Sequence, residues 1–245
     1  AVWEDLDLKR RIFAELDIHA RPDALLATNT STLDVGLIAQ ATRRPGSVIG
    51  LHFFNPAQVM RLLEVVRAPS TSPATVASAK AIARCIGKVP IVVGVCDGFV
   101  GNRLMIARER QASRLLLEGA LPEQVDGVLR EFGLPMGSFE LQDMAGGIAL
   151  MYRARKRAGQ RDWLIEQLHD RGRTGLRAGR GFYRYEPGKR RPLPDPEVKA
   201  LIEEASRIEG LERRVIPDDE IRDRLILPMV NEGAKLVAEG IVERA

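Results

Sequence analysis

The chain has 245 residues, of which 45% are hydrophobic and 29% are charged, and its formal net charge is +4. That length allows one large or two small domains of ordinary composition. No run reaches the roughly 18 apolar residues of a membrane span, and the start does not have the order of a signal peptide. The basic excess lies mainly in Arg-rich stretches without interleaved aromatic residues, so no nucleic acid partner is predicted.

Strand-like and helical patterns alternate through the first part of the chain. The first helical pattern places Leu8, Ile12, Phe13 and Leu16 on one face. The patterns that follow it are, in order, "DALLATNT", "TLDVGLIAQAT", "VIGLHFF", "LLEVV", "ATVASAKAIARCIG" and "VPIVVG". This alternation predicts an α/β sheet domain that extends to about Val95.

From Gly98 onward the pattern is almost wholly helical. A long helix is predicted to end at Gly119, and Pro122 is predicted to open the next one. The segment "TGLRAGRGFYRYEPGKRRPLPDPEV", rich in Gly, Arg and Pro, is predicted to be an exposed connection further along the chain.

The helical pattern also repeats after a shift of 121 positions. The shift places Asp97 on Asp218, Arg103 and Leu104 on Arg224 and Leu225, Leu115 on Leu236, and Glu118 and Gly119 on Glu239 and Gly240. We therefore expect two helical units of one type. Chance similarity between two helices rich in Leu, Arg and Glu is the alternative.

The two cysteines, Cys85 and Cys96, lie in a helical and a strand-like run without ligand spacing. Neither a disulfide framework nor a metal site is predicted from them. A reduced compartment is the expected environment.

The stretch "VIGLHFFNP" places His52 in a strand-like run that ends at an Asn-Pro turn signal. If this run and "LLEVV" form antiparallel strands whose connection is centred on Gln58, Glu64 lies opposite His52. A carboxylate beside one imidazole nitrogen orients the ring and favours its charged form, as a general base requires. The alternative is a core histidine bonded to a backbone carbonyl, with Glu64 in water at a strand edge.

Small polar residues follow a strand-like run in "LLATNTSTL", where a helical pattern begins at about Leu33. Ligands of α/β sheets are usually bound at such strand ends. Ser31 or Thr32 is therefore either a ligand contact or a helix N-cap. Asn102, in "DGFVGNRL", is either a surface residue of a first helical turn or a buried donor to a ligand carbonyl.

These segments together resemble the L-3-hydroxyacyl-CoA dehydrogenase family. The stretches "ATNTSTLDV", "GLHFFNPAQVMRLLEVV", "DGFVGNRL", "FGLPMGSFELQDMAG" and "GRGFYRY" occur in the family's order and spacing. The chain looks most like the dehydrogenase part of multifunctional, peroxisomal-type bifunctional β-oxidation enzymes, because "DDEIRDRLILPMVNEGAKLVAEGI" is similar to their second helical domain. Asp223 stands there in place of Asn102, which implies a packing role for the second copy. Ser138 replaces a residue that is commonly proline in the family, a departure that concerns turn rigidity.

The resemblance implies an α/β region followed by an all-α region. Residues 1–96 would be the C-terminal part of a Rossmann-type NAD-binding domain, and residues 97–190 a helical substrate and dimerisation domain. Residues 191–245 would hold a linker and the start of a second helical domain. The chain is expected to form a homodimer or to pack its two helical domains against each other.

The resemblance also implies an activity, the NAD-dependent oxidation of an L-3-hydroxyacyl-CoA to the 3-ketoacyl-CoA in fatty-acid β-oxidation. His52 would take the proton of the 3-hydroxyl group, and Glu64 would orient His52. Ser31 and Asn102 would hold the oxygen atoms of the substrate.

Glu4, Lys9 and Asn55 match family positions on the nicotinamide side of the NAD site. The alternative for Glu4 and Lys9 is a pair of solvated charges at the start of a helix. No stretch of the sequence has the G-x-G-x-x-G spacing after a strand that holds the pyrophosphate. The chain is therefore expected to be a fragment, truncated at both ends, that binds NAD weakly and is inactive by itself.

Two other functions are compatible with the sequence. One is a non-catalytic helical assembly module, suggested by the repeated helical region. The other is a CoA-ester-binding module without turnover, in which Lys80, Lys88 and Arg103 would meet the anionic CoA. The Ala- and Arg-rich composition indicates a bacterial cytoplasm, or a peroxisome if the source is eukaryotic.

Overall fold

The computed structural model describes residues 2–242 and gives the following elements within them. The strands are β1 (Leu26–Thr28), β2 (Val48–Phe53), β3 (Leu62–Arg67) and β4 (Val89–Gly94). The helices are α1 (Leu6–His19), α2 (Val35–Ala39), α3 (Pro73–Cys85), α4 (Gly101–Glu118), α5 (Pro122–Glu131), α6 (Ser138–Ala145), α7 (Gly147–Arg157), α8 (Trp163–Asp170), α9 (Pro196–Ile208) and α10 (Asp218–Ala238). The predicted order, an α/β region followed by an all-α region, is confirmed.

Packing divides the chain into two compact units, one of residues up to 106 with those from 230 onward, and one of residues 107–229. The first unit holds the four strands with α1 to α3, and the second holds α5 to α9. The three predicted sequence domains are consecutive along the chain, whereas the first compact unit combines residues from both of its ends. The boundaries of those domains remain a prediction.

The sheet of the first unit has the strand order β1-β2-β3-β4. The β1–β2 and β3–β4 pairs are parallel, whereas β2 and β3 are antiparallel. Successive side chains of a strand point to opposite faces, so each face carries its own core. The cores include Phe13, Ile38, Val48, Val66 and Val93 on one face and Ile49, Val65 and Ala79 on the other. Helices thus cover both faces of the sheet, as in a Rossmann-type domain.

Several helix ends lie where the sequence predicts them. α4 ends at Glu118, followed by Gly119 with φ 145°, and Pro122 is the first residue of α5. The prediction of Ser31 or Thr32 as an N-cap was wrong. The N-cap of α2 is Asp34, whose side chain accepts from the backbone N–H of Gly36 at 2.7 Å. A carboxylate two residues from the donor can satisfy this orphan N–H directly, which leaves Ser31 outside the helix.

The helices of the second unit bury a continuous apolar core that includes Leu115, Leu129, Phe139, Leu168 and Ile202. Amphipathic spacing explains this arrangement, because residues three and four positions apart share a helix face.

The predicted exposed connection is in fact partly buried. Phe182 and Tyr183 are only 3% and 2% exposed and belong to the core of the second unit. Their backbone N–H groups donate to the carboxylate of Asp143 at 2.9 and 3.0 Å. A Cβ at Gly181 would lie 2.0 Å from that carboxylate, so the glycine permits the approach. Glycine here serves close packing and not flexibility, which composition alone does not reveal.

Candidate active site

His52 and Glu64 lie directly opposite each other on β2 and β3, which confirms the predicted register. The imidazole Nδ1 and the Glu64 Oε2 are 2.6 Å apart, and the two residues are 6% and 0% exposed. The alternative with Glu64 in water at a strand edge is therefore wrong. β3 is an inner strand between β2 and β4, so a side chain on it is enclosed by its neighbours.

The start of α4 supplies the other partners of Glu64. Its Oε1 accepts from the backbone N–H of Val100 at 3.0 Å and of Gly101 at 2.8 Å. The first N–H groups of a helix have no partner within the helix, and the helix dipole favours a negative charge at that end. The buried carboxylate thus accepts three hydrogen bonds, which offsets the cost of removing it from water.

Aromatic rings pack around the imidazole. The ring centroids of Phe54 and Phe99 lie 4.6 and 5.7 Å from that of His52. Phe99 is fully buried with a positive φ of 49°, a conformation that is uncommon outside glycine. A Cβ at Gly101 would lie 2.6 Å from the Phe54 ring, so only glycine lets α4 approach so closely.

This arrangement defines what each imidazole nitrogen can do. Because Nδ1 donates its proton to Glu64, Nε2 is the nitrogen that can accept a proton in the neutral ring. A positive charge that forms on the ring would lie against a fixed carboxylate, as in other carboxylate–histidine pairs. The pair therefore has the geometry of a general base whose orientation is set by the sheet.

Glu4 connects the other predicted residues at the carboxyl end of β1. Its Oε1 accepts from the backbone N–H of Ser31 at 2.9 Å and from the Thr30 hydroxyl, and its Oε2 lies 2.7 Å from the Lys9 Nζ. Lys9 is only 3% exposed, so the solvated alternative is wrong for this residue. Burial of Glu4 raises its pKa, but its bonds with Lys9, Thr30 and Ser31 outweigh burial and the pKa is lowered overall.

Asn29, which was not predicted as a site residue, joins the turn at Ser31 to β2, the strand of His52. The Asn29 Oδ1 accepts from the backbone N–H of Phe53 at 3.1 Å. Asn29 directly follows β1, and Phe53 directly follows His52 on β2. The bond therefore links the Ser31 turn to the end of β2. Thr30, which is 1% exposed, was missed as well. The small polar run "TNTST" was the available signal for both.

Asn102 lies in the first turn of α4, one residue after the N–H of Gly101 that binds Glu64. Its half-buried position fits a first-turn residue beside the pair. Asn55 is exposed in the connection between β2 and β3. Val100 and Gly101 act through their backbone, which is why side-chain chemistry alone did not identify them.

Two of the three basic residues considered for CoA binding are engaged elsewhere in the chain. The Lys88 Nζ donates to the carbonyl oxygens of Ala57 and, at 2.8 Å, of Met60. Arg103 forms ion pairs within the first unit. These contacts weaken the CoA-binding alternative, because both charges already have intramolecular partners.

The polar residues at the carboxyl end of β1 lie where α/β sheets bind ligands such as NAD. Glu4, Lys9 and Ser31 form one connected polar group there, at the edge where α/β sheets bind their ligands. The pyrophosphate of NAD is held in such folds by a Gly-rich turn, and no turn with that spacing occurs in this sequence.

Comparison with known proteins agrees with this geometry. Residues 1–96 match the family model of the 3-hydroxyacyl-CoA dehydrogenase NAD-binding domain, and residues 98–185 match that of the C-terminal domain. The peroxisomal bifunctional enzyme of Cavia porcellus is 42% identical over 259 residues, which cover 98% of this chain and 36% of that protein. The chain thus spans about a third of the length of the curated relatives it matches.

Two solved structures have the same architecture. The dehydrogenase part of multifunctional enzyme 1 from C. elegans is 33% identical with a TM-score of 0.74, covering 100% of this chain and 56% of its own. M. tuberculosis FadB2 is 36% identical with a TM-score of 0.65, over 76% of this chain and 69% of its own.

The comparisons also bear on location. The Cavia porcellus relative is named as a peroxisomal enzyme, so a cytoplasmic location is not supported. Within residues 2–242, no helix combines the length and the apolar character that crossing a bilayer requires. The matched domain models, the 36% identity to FadB2 and the shared architecture lead to one conclusion. This chain belongs to the 3-hydroxyacyl-CoA dehydrogenase family.

Proposed function

We propose that this chain supplies the catalytic base of an NAD-dependent L-3-hydroxyacyl-CoA dehydrogenase within a multifunctional β-oxidation enzyme. The observation that carries the proposal is the buried His52–Glu64 pair, 2.6 Å apart, with Glu64 held by the first N–H groups of α4. A histidine that is merely packed in a core does not need a buried carboxylate with three donors. Such a pair is expected where an imidazole must gain and lose a proton.

In the proposed reaction, the Nε2 of His52 takes the proton of the substrate's 3-hydroxyl group. Glu64 keeps Nδ1 protonated and stabilises the positive ring that forms. The Ser31 hydroxyl and the Asn102 amide donate hydrogen bonds to the oxygen atoms of the substrate, where charge changes during the reaction. NAD, when bound, supplies the acceptor for the hydride that leaves C3.

On the cofactor side, Glu4, Lys9 and Asn55 are proposed to line the nicotinamide. Glu4 also fixes the turn that presents Ser31, since it accepts from the backbone N–H of Ser31. Residues 1–96 are proposed as the NAD-binding part, 97–190 as the substrate domain and 191–245 as a linker and second helical copy. The helical copies would pack within one chain or in a homodimer. In a eukaryote the location would be a peroxisome, as in the name of the Cavia porcellus relative.

The test is the variant His52→Gln in the natural full-length protein, assayed with an L-3-hydroxyacyl-CoA and NAD. Loss of a general base lowers the rate by roughly a hundred- to ten-thousand-fold. We expect kcat to fall by that factor while the thermal unfolding midpoint stays near that of the wild type. His19→Gln is the matched control, because His19 is exposed at the end of α1 and should leave kcat unchanged.

A His52→Gln variant with wild-type turnover would refute the assignment of the base. A wild-type protein that binds a CoA ester but does not oxidise it would instead favour the non-catalytic alternative, a binding or assembly module.

A further inference from the structure

Arg103 links the first turn of α4 to α10 and to Glu239, which directly follows α10. Its Nε lies 2.6 Å from the Oε1 of Glu232, and its two terminal nitrogens lie 2.6 and 2.8 Å from the oxygens of Glu239. All three residues belong to the first compact unit. A guanidinium that binds one carboxylate through two parallel bonds restricts orientation as well as distance.

The predicted repeat has an equivalent contact in the second unit. Arg224, which corresponds to Arg103, donates from Nε to the Gln111 Oε1 at 3.2 Å and from a terminal nitrogen to Glu118. Gln111 and Glu118 are the counterparts of Glu232 and Glu239 under the shift of 121 positions. In each copy, therefore, the arginine at this position binds the same two positions of the other copy. This shared pattern of contacts supports the repeat over chance similarity.

The two arginines differ in what lies beside them. Arg103 is two residues after Gly101, whose N–H donates to the Glu64 carboxylate at 2.8 Å. In the second copy the position of Gly101 is taken by Arg222, which lies inside α10 and not at its start. Movement at the start of α4 would shift the two N–H groups that hold Glu64. The same movement at the start of α10 would not.

The charged groups around Arg103 favour a fixed guanidinium. Glu232 faces it from α10 and Glu239 from the residue after that helix, and the Cys96 thiol lies beside it from the loop before α4. Lys235 binds Glu232 from the other side at 3.2 Å. The hydrogen bonds from Arg103 lower the pKa of both glutamates, so both are ionised at neutral pH.

We propose that Arg103 is a positioning residue for the His52–Glu64 pair. Its ion pairs with Glu232 and Glu239 fix the first turn of α4, and this turn holds Glu64 against His52. α10, the helix of the second copy, would then take part in activity and not only in packing. The expected effect on kcat rests on the proposed function, whereas the expected effect on the position of Glu64 does not.

The experiment compares Arg103→Gln with Arg224→Gln, which breaks the equivalent contact away from Glu64. Amide hydrogen exchange at Val100 and Gly101 reports whether their N–H groups still hold Glu64. We expect exchange there to accelerate about tenfold or more in Arg103→Gln, since local opening governs exchange. In Arg224→Gln it should stay at the wild-type rate.

Kinetics in the natural full-length protein give the second readout. A displacement of about 1 Å at reacting groups costs up to about a hundredfold in rate. We expect kcat of Arg103→Gln to fall by roughly ten- to a hundredfold with little change in KM. Arg224→Gln should retain kcat. Glu239→Gln is a milder change to the same contact and should also lower kcat. It replaces Arg103→Gln as the test if that variant does not fold.

Equal effects of the Arg103 and Arg224 variants, or unchanged exchange at Val100 and Gly101, would overturn the proposal. A wild-type protein without dehydrogenase activity would contradict the proposed function instead. The exchange comparison would still decide the positioning role in that case, because it needs no turnover.

Discussion

Buried carboxylates occur in both compact units, and their partners differ. Glu64 in the first unit accepts from an imidazole and two backbone N–H groups. Asp126 in the second unit accepts from the N–H of Phe139, the N–H of Glu140 and the Tyr183 hydroxyl at 2.7 to 3.0 Å. Asp143 accepts in the same way from Phe182, Tyr183 and the Tyr185 hydroxyl.

The comparison shows one side-chain type, a buried carboxylate, with two kinds of partner. Each of the three carboxylates has three donors, so burial and hydrogen bonding do not distinguish them. The difference is the partner. The imidazole at Glu64 has a second nitrogen that is free to accept a proton, whereas the tyrosine hydroxyls at Asp126 and Asp143 have a pKa raised by burial and by the nearby carboxylates. The partner of a buried carboxylate therefore distinguishes Glu64 from Asp126 and Asp143, whereas burial and the number of donors do not.

Among changes to the buried carboxylates, Glu64→Gln should have the largest effect on turnover. The amide keeps the size of the side chain but loses the charge that orients and stabilises the imidazole, so kcat should fall by about a hundredfold or more. Steady-state kinetics of the full-length protein measure this change. Asp143→Asn is the comparison in the helical unit, and it should reduce stability much more than kcat. A Glu64→Gln variant as active as the wild type would contradict the different roles expected for Glu64 and Asp143.

The pH dependence of stability should identify the structural carboxylates. Burial raises the pKa of Asp126 to about 6, from an ordinary value of 3.8, despite the opposing hydrogen bonds of Phe139 and Tyr183. The folded state therefore binds the proton more tightly than the unfolded state. The contribution of Asp126 to the free energy of unfolding is fully present below pH 4 and is lost as the pH rises through about 6.

Urea unfolding of the wild type and of Asp126→Asn at several pH values measures this contribution. A shift of about two pH units corresponds to roughly 3 kcal/mol, so the difference between the two proteins should change by up to that amount across the window. Asp170→Asn is the control, because Asp170 is exposed at the end of α8. Parallel curves for the wild type and Asp126→Asn would show that Asp126 does not titrate in this range.

A pair of glycine substitutions tests the close approach of α4 to the site. In Gly101→Ala the new Cβ would meet the Phe54 ring at 2.6 Å, and Phe54 packs on His52. Overpacking of this kind costs about 1–3 kcal/mol in the free energy of unfolding. In Gly127→Ala, within α5, nothing lies within 4 Å of the new Cβ, so a gain of about 0.5–1 kcal/mol is expected. Similar stability of both variants would contradict the tight contact at Gly101.

Local sequence patterns predicted most of the first unit and the pairing of His52 with Glu64. Alternating apolar runs identified the strands, and turn length placed Glu64 opposite His52, as the structure confirms. The failures occurred where tertiary contacts override composition. The Gly-rich segment around Phe182 was assigned to the surface because glycine and arginine dominate it, but its aromatic residues are buried against Asp143.

The sequence by itself determined the order of elements, the register of β2 and β3 and the family to which the chain belongs. The elements and the register follow from periodicity and turn length, which are local along the chain, and the family follows from the resemblance of its motifs. Only the tertiary structure decided that Val100 and Gly101 hold Glu64, that Glu4 binds the Ser31 turn, and that Arg103 binds Glu239. Backbone donors carry no side-chain signature, and these partners lie 27 to 136 residues apart, beyond the reach of any local pattern.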